Sequence, residues 1–231
     1  IKGMHTFDHQ AGRELTSKWL SEGKTCYAYD ASSFTDRFPL SLQKLVLDAL
    51  LELGLISQFD RDSVDVVTSM GYYSDYHKRI IYYEAGGQPQ GWGPSFHMAA
   101  LTHTLVCYYA CFLAKSSYKD SFAVIGDDIV ISSGPVAEQY TKLMKAFGVD
   151  INEEKSVISN TVSEFAGKLV TKDSVIPSIK YKPTRLTSDQ LVKLLDFYPS
   201  NFWDELSNHE RKRAMKAILP EFLGGISFKI P

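Results

Sequence analysis

At 231 residues, with 44% hydrophobic and 13% aromatic content and a net charge of −2, the chain can bury a sizeable core; it is neither a disordered segment nor a generic basic nucleic-acid binder. No apolar run approaches the roughly 20 residues that span a bilayer, and the opening IKGMHTFDHQ lacks the charged and apolar regions of a signal peptide, so no membrane segment is expected. Cys26, Cys107 and Cys111 form no CxxC pair, which fits reduced core thiols better than a disulfide framework or a zinc site.

Taken in order, GRELTSKWLSEGK reads as a helix with Gly23 near its end, and TCYAYD as a short strand stopping at Asp30. After a Ser/Thr/Asp-rich turn, PLSLQKLVLDALLELGL is an amphipathic helix. Pro39 sits near its start, Leu42, Leu45, Val46, Ala49, Leu50 and Leu53 form the apolar stripe, and Gly54 is the stop. KRIIYYE is a strand leading into the Gly/Pro-rich loop 86–95, GGQPQGWGPS. From Ser95 to about Lys115 the pattern predicts a helix buried on most sides. FAVI and IVIS are strands around Gly126, Asp127 and Asp128, and Pro135 opens the helix VAEQYTKLMKAFG. SEFAGKLV and SVIPSIKY form a further β-pair, and from about Thr187 the chain reads as helical. Helices mixed with antiparallel strands, without a βαβ rhythm, place the chain in the α+β class.

Three loops sit where a strand meets another element. In DASSFTDRFP, Ser, Thr and Asp suit an N-cap, which explains Thr35 or Asp36 but does not require Asp30. GGQPQGWGPS is a tight loop ahead of a helix, and its glycines also let a backbone approach a ribose or phosphate closely. IGDD is a good hairpin turn. Two adjacent carboxylates repel each other, however, and a turn needs only one; a cation that takes oxygen ligands would use both. Residues 30–90 hold nine acids against five Lys or Arg, and residues 168–216 hold ten Lys or Arg against six acids. An acidic centre beside a basic flank suits a cation site next to a polyanion, although either run alone would serve as a solvated face.

In this order and spacing the loops resemble the catalytic core of RNA-dependent RNA polymerases. DASSFTDRFP, GGQPQGWGPS with its following helix, IGDD, FGVDINEEKS and EFAGKLV are similar to five successive palm motifs. The wording, with FTDRFP, GQPQG, LTH, EKS and EFAGK, is most like the narnavirus, mitovirus, ourmiavirus and levivirus group, and LPEFLGGISF is similar to a stretch downstream of the palm there. The resemblance is strong over about residues 24–173.

It implies template-directed nucleotidyl transfer from NTPs by a two-metal mechanism, in replication of a positive-strand RNA virus genome. Two Mg²⁺ ions, with Mn²⁺ as an alternative, would be held by Asp30 and Asp127, with Asp128 a less direct carboxylate. Lys155 is the candidate general acid toward pyrophosphate, its alternative being an exposed helix-end lysine. Asp36 and Ser95 match positions that read the ribose 2′-hydroxyl, and Gln90 and Gly91 lie in the loop that adjusts around the nucleotide. Many related polymerases have asparagine where this chain has Ala99. His103, one turn on, is placed to compensate for it, although a lone histidine on an apolar helix reads rather as a packed core residue.

The expected organisation is a leading segment 1–23, a palm 24–183 whose antiparallel sheet is backed by helices, and a partial helical thumb 184–231. The basic fingers motif is not recognisable before Asp30, so the chain reads as a fragment with the fingers upstream, weak or inactive alone. Expected partners are an RNA template, the nascent strand, NTPs and those fingers. The expected location is the host cytoplasm, or the mitochondrion for relatives of the mitovirus type. Two other readings are a reverse transcriptase, against which Ile125 and Gly126 argue, and a degenerate palm serving as an RNA-binding scaffold, against which Asp30, Asp127 and Asp128 argue.

Overall fold

The computed structural model describes residues 1–82, 86–89 and 91–177. In chain order the elements are α1 (His9–Ser21), β1 (Cys26–Tyr29), α2 (Phe34–Arg37), α3 (Leu40–Glu52), α4 (Gln58–Ser69), β2 (Tyr72–Ser74) and β3 (Arg79–Ile81). There follow α5 (Ser95–Leu113), β4 (Phe122–Ile125), β5 (Asp128–Ile131), α6 (Gly134–Ala146), β6 (Val157–Ser159), β7 (Val162–Phe165), β8 (Lys168–Thr171) and β9 (Val175–Pro177). The predicted thumb helices and LPEFLGGISF lie outside the described residues, as does the second half of SVIPSIKY.

The central sheet has the order β4-β5-β1-β6, and every pairing given for it is antiparallel. Its strands read as nearly continuous apolar runs because both faces are covered. Val124, Ile129 and Ile131 join Val106, Cys107 and Ala110 of α5 and Val136, Tyr140 and Met144 of α6 in one core. Cys26, Ala28, Ala123, Ile125 and Val130 join Trp19 and Leu20 of α1 and Phe165 and Val170 of the second sheet in another. Residues 3–5 extend the edge: the Val124 and His5 amides donate to Gly3 and Val124 carbonyls, each at 2.8 Å. This is the α+β arrangement expected, an antiparallel sheet backed by helices.

Local chemistry sets the element ends. Asp8 caps α1 by accepting from the Ala11 amide at 2.9 Å, and Gly23 leaves that helix at φ +71°. The helix α4, absent from the sequence reading, starts at a capping box in which Ser57 and Asp60 bond each other's backbone amides. The stripe of α3 is rotated from expectation. Leu40, Gln43 and Leu47 are buried, whereas Leu45 and Leu53 are exposed, because α3 packs against both α4 and α5. SEFAGKLV is itself a hairpin, turning at Ala166 and Gly167, both at positive φ as a type I′ turn requires; β8 then pairs onward to β9. Neither β2 nor β6 was foreseen.

One helix among the described residues, α5, is long and apolar enough to cross a membrane by length and composition, contrary to the expectation of no such run. Its 19 residues include eleven buried ones, and it packs against β4, α3 and α6, so a protein core takes up part of its apolar surface, while Phe96, Leu105, Tyr109, Phe112 and Leu113 stay exposed. All three cysteines are free and buried. Burial pushes the Cys26 and Cys111 thiols up to about 11 and the Cys107 thiol well above the usual range.

Candidate active site

The β4–β5 hairpin closes through two residues, Gly126 and Asp127, with Ile125 paired to Asp128. Gly126 has φ +60° and Asp127 is not at positive φ, the combination of a type II′ turn. A Cβ there would also stand 2.4 Å from the Phe96 ring, so any larger residue would have to displace that ring. Asp127 is exposed at the tip and Asp128 begins β5. Tyr29 of β1 pairs with Ile129 of β5, so one register step further brings Asp30 beside Asp128. Asp30, which follows β1, and Asp127 and Asp128 of the hairpin therefore lie at the same end of the sheet.

Residues 150–156 are zipped along the chain leaving β1. The Ser32 amide donates to the Asp150 carbonyl and the Asn152 amide to the Asp30 carbonyl, both at 2.8 Å, and the Asp30 amide donates to Ser156 Oγ at 3.2 Å. Arg37 forms an ion pair with Asp150. This packing delivers Lys155, whose Nζ lies 3.8 Å from Asp30 Oδ2 while its side chain stays 69% exposed. Lys155 is thus exposed, as its alternative reading required, and it also faces the expected carboxylate.

The glycine-rich loop lies against α2 through its backbone. The Gly87 amide donates to the Phe38 carbonyl and the Gln88 amide to Thr35, each at 3.1 Å. Gly87, at φ +74°, leaves no room for a Cβ, which would sit 2.6 Å from the Asp36 carbonyl oxygen. Gln88 Nε2 donates to the Ser95 carbonyl at 2.7 Å and fastens the loop to the start of α5. Between loop, helix and turn lies a cleft of about 230 Å³ lined by Phe34, Thr35, Gln88, Gly91, Ser95, Phe96, Ala99, Gly126 and Asp127. Gly91 is exposed, with nothing within 4 Å of a Cβ built there, so the loop has open space at that point.

Of the expected site residues, Gly91, Ser95 and Asp127 thus share one cleft, and Asp30 lies beside Asp128 and Lys155. Asp36 is exposed on α2 and does not line the cleft; its backbone supports the loop instead. Gln90 lies outside the described residues. Among the described residues no group of three or more His, Cys, Asp or Glu side chains is arranged as a metal site. The donor chemistry nevertheless fits a hard cation. Asp30, Asp127 and Asp128 offer oxygen only, and a magnesium ion takes few protein ligands, filling its shell with water and substrate phosphates.

His103 was read from sequence as core, and it is fully buried on α5. It also touches the turn: Nδ1 lies 2.8 Å from the Gly126 carbonyl oxygen and Nε2 lies 2.8 Å from the Tyr140 hydroxyl. Burial lowers its pKa to about 4, against smaller opposing effects of the Gly126 bond and Asp127, so the ring is neutral near pH 7. A carbonyl only accepts, so Nδ1 carries the proton and Nε2 accepts from Tyr140. A single histidine in LTHTL was the only sequence signal for this contact, and it does not reveal the turn carbonyl 23 residues away.

The fold recurs in the RNA-dependent RNA polymerase of a human picorbirnavirus. An insertion-loop deletion mutant of it matches at TM-score 0.62 and 16% identity over 94% of this chain and 50% of that one. It recurs also in telomerase from Candida albicans, at TM-score 0.54 and 14% identity over 87% of this chain and 39% of that one. By sequence, the chain is 35% identical over 166 residues to the RNA-directed RNA polymerase of Cryphonectria parasitica mitovirus 1, which covers 71% of this chain and 20% of that protein. An uncharacterized mitochondrial protein of Arabidopsis thaliana is 28% identical over 155 residues, covering 63% of this chain and 61% of that protein. The chain thus spans about a fifth of the mitovirus relative and half of the picorbirnavirus structure. The model of the mitovirus RNA-dependent RNA polymerase family matches residues 1–194, and the chain belongs to that family.

Proposed function

We propose that this chain is the catalytic core of an RNA-dependent RNA polymerase, transferring nucleotidyl groups from NTPs to a growing strand in replication of a positive-strand RNA virus genome. The observation that carries this reading is the convergence of Asp127, Gly91 and Ser95 on one cleft, with Asp30 beside Asp128 at the same sheet end, in a chain of this family.

Asp30 and Asp127, with Asp128 less directly, would hold two Mg²⁺ ions, or Mn²⁺, which when bound activate the attacking 3′-hydroxyl and stabilise the leaving oxygen. Lys155, held near Asp30, donates a proton toward departing pyrophosphate. Ser95, on the cleft wall, reads the ribose 2′-hydroxyl, the group that separates RNA from DNA precursors. Asp36, exposed next to the cleft-lining Thr35, reads the same hydroxyl. Gln90 and Gly91 adjust around the incoming nucleotide. The RNA template, the nascent strand and a fingers region of a longer polypeptide complete the assembly. The location is the host cytoplasm, with the mitochondrion as the alternative, which the name of the Arabidopsis relative supports.

The fold is shared by viral polymerases and telomerases, so it does not itself choose the nucleotide. The deciding experiment offers NTPs and dNTPs on an RNA template to the full-length protein. Preferential NTP incorporation is expected. Preferential dNTP incorporation would establish the reverse-transcriptase reading, and no incorporation of either would support a scaffold.

A further inference from the structure

The turn that carries Asp127 is not locked by its own sequence. A Gly-Asp pair satisfies type II′, with only Gly126 at positive φ, and it also tolerates type I′, with both residues there, because aspartate visits the left-handed region at modest penalty. The two turns differ by a flip of the rigid peptide plane that joins Gly126 to Asp127. A flip would swing the Gly126 carbonyl to the opposite side and re-aim the Asp127 side chain. Something outside the hairpin must select one orientation.

We propose that His103 is a positioning residue that locks this peptide: its Nδ1–H holds the Gly126 carbonyl toward the core, and Tyr140, by donating to Nε2, keeps the proton on Nδ1. Three elements are thereby tied at one point. Ring packing restrains the imidazole further, with Phe34 and Tyr140 centroids 5.0 and 5.7 Å away. Phe96 covers Gly126 from α5 as well, so carbonyl and Cα are both restrained by the helix whose first turn lines the cleft. The lock aligns the carboxylate in the turn with the nucleotide side of the site; its catalytic consequence rests on the polymerase reading above.

Two amide substitutions separate the halves of this contact. In His103→Asn the amide nitrogen takes the place of Nδ1 and can still donate to Gly126, whereas in His103→Gln the amide reaches the Nε2 position, where its oxygen accepts from Tyr140 and nothing donates to Gly126. Both remove the ring, so lost packing strikes them alike. Hydrogen exchange of the segment 122–132 in this chain should be near wild type in H103N and at least about tenfold faster at the turn in H103Q, as expected when a buried carbonyl loses its donor. In the full-length polymerase, kcat should fall about tenfold or more in H103Q, with H103N within about threefold and the KM for NTPs little changed. Any other ordering in the exchange data, including equal effects or none, would overturn the lock. Absence of incorporation by wild type would instead sink the polymerase reading, and the exchange comparison would still decide the lock.

Discussion

Acidification from pH 7 to pH 5 should destabilise the protein through His103. Its pKa is lowered from 6.5 to about 4 in the folded chain, chiefly because burial disfavours the imidazolium. Between those values the unfolded chain binds a proton that the native state does not. The stabilisation from keeping His103 neutral is therefore absent as a pH effect above 6.5 and becomes a growing loss as pH falls toward 4. At pH 5 the linkage integral gives a loss of about 2 kcal/mol relative to pH 7. His5, half-buried and also lowered by burial, contributes in the same direction, so wild type must be compared with a variant. Urea denaturation of wild type and H103N at both pH values is the assay. Wild type should lose about 2 kcal/mol more than H103N between pH 7 and pH 5. Equal losses would refute a buried, neutral His103 and with it the tautomer assigned to the contact with Gly126.

Two further outcomes follow from the site. Gly87→Ala places a Cβ 2.6 Å from the Asp36 backbone at φ +74°, where neither side can yield cheaply. It should displace the loop at a local strain of about 1–3 kcal/mol and raise the KM for NTPs by about tenfold; an unchanged KM in steady-state incorporation would contradict the loop's role. Lys155→Ala removes an ion pair at 3.8 Å whose side chains are 69% and 43% exposed, so stability should change by less than about 1 kcal/mol. Turnover in the full-length enzyme should nevertheless fall about a hundredfold if Lys155 is the general acid, and a loss proportionate only to stability would remove that role.

The elements nearest the site were the most legible in the sequence. Asp30 at a strand end, the helix from Ser95 and the Gly126–Asp127 turn all follow from local signals: an apolar run that stops, a Pro-led start, a residue that accepts positive φ. What stayed hidden depends on contacts remote in the chain. The α3 stripe misled because Gln43 is buried and Leu45 exposed, an outcome set by which neighbours the helix meets rather than by its own periodicity. Asp36 matched a motif, and the closeness of its backbone to Gly87 is a second feature that the motif does not reveal. His103 sat in a motif but owes its significance to Gly126 and Tyr140, which no spacing rule connects. By length and composition α5 could cross a membrane, and only the packing shows that eleven of its residues are buried in the protein.

The central claim is that Asp127 serves chemistry and not the turn. Asp127→Asn preserves size and turn propensity while removing the charge that a cation would use. Template-dependent NTP incorporation by the full-length protein and its D127N variant, at matched folded concentration and with Mg²⁺ supplied, is the most direct test. Abolished incorporation in D127N with an unchanged melting transition is the predicted result; equal incorporation by the two proteins would contradict it.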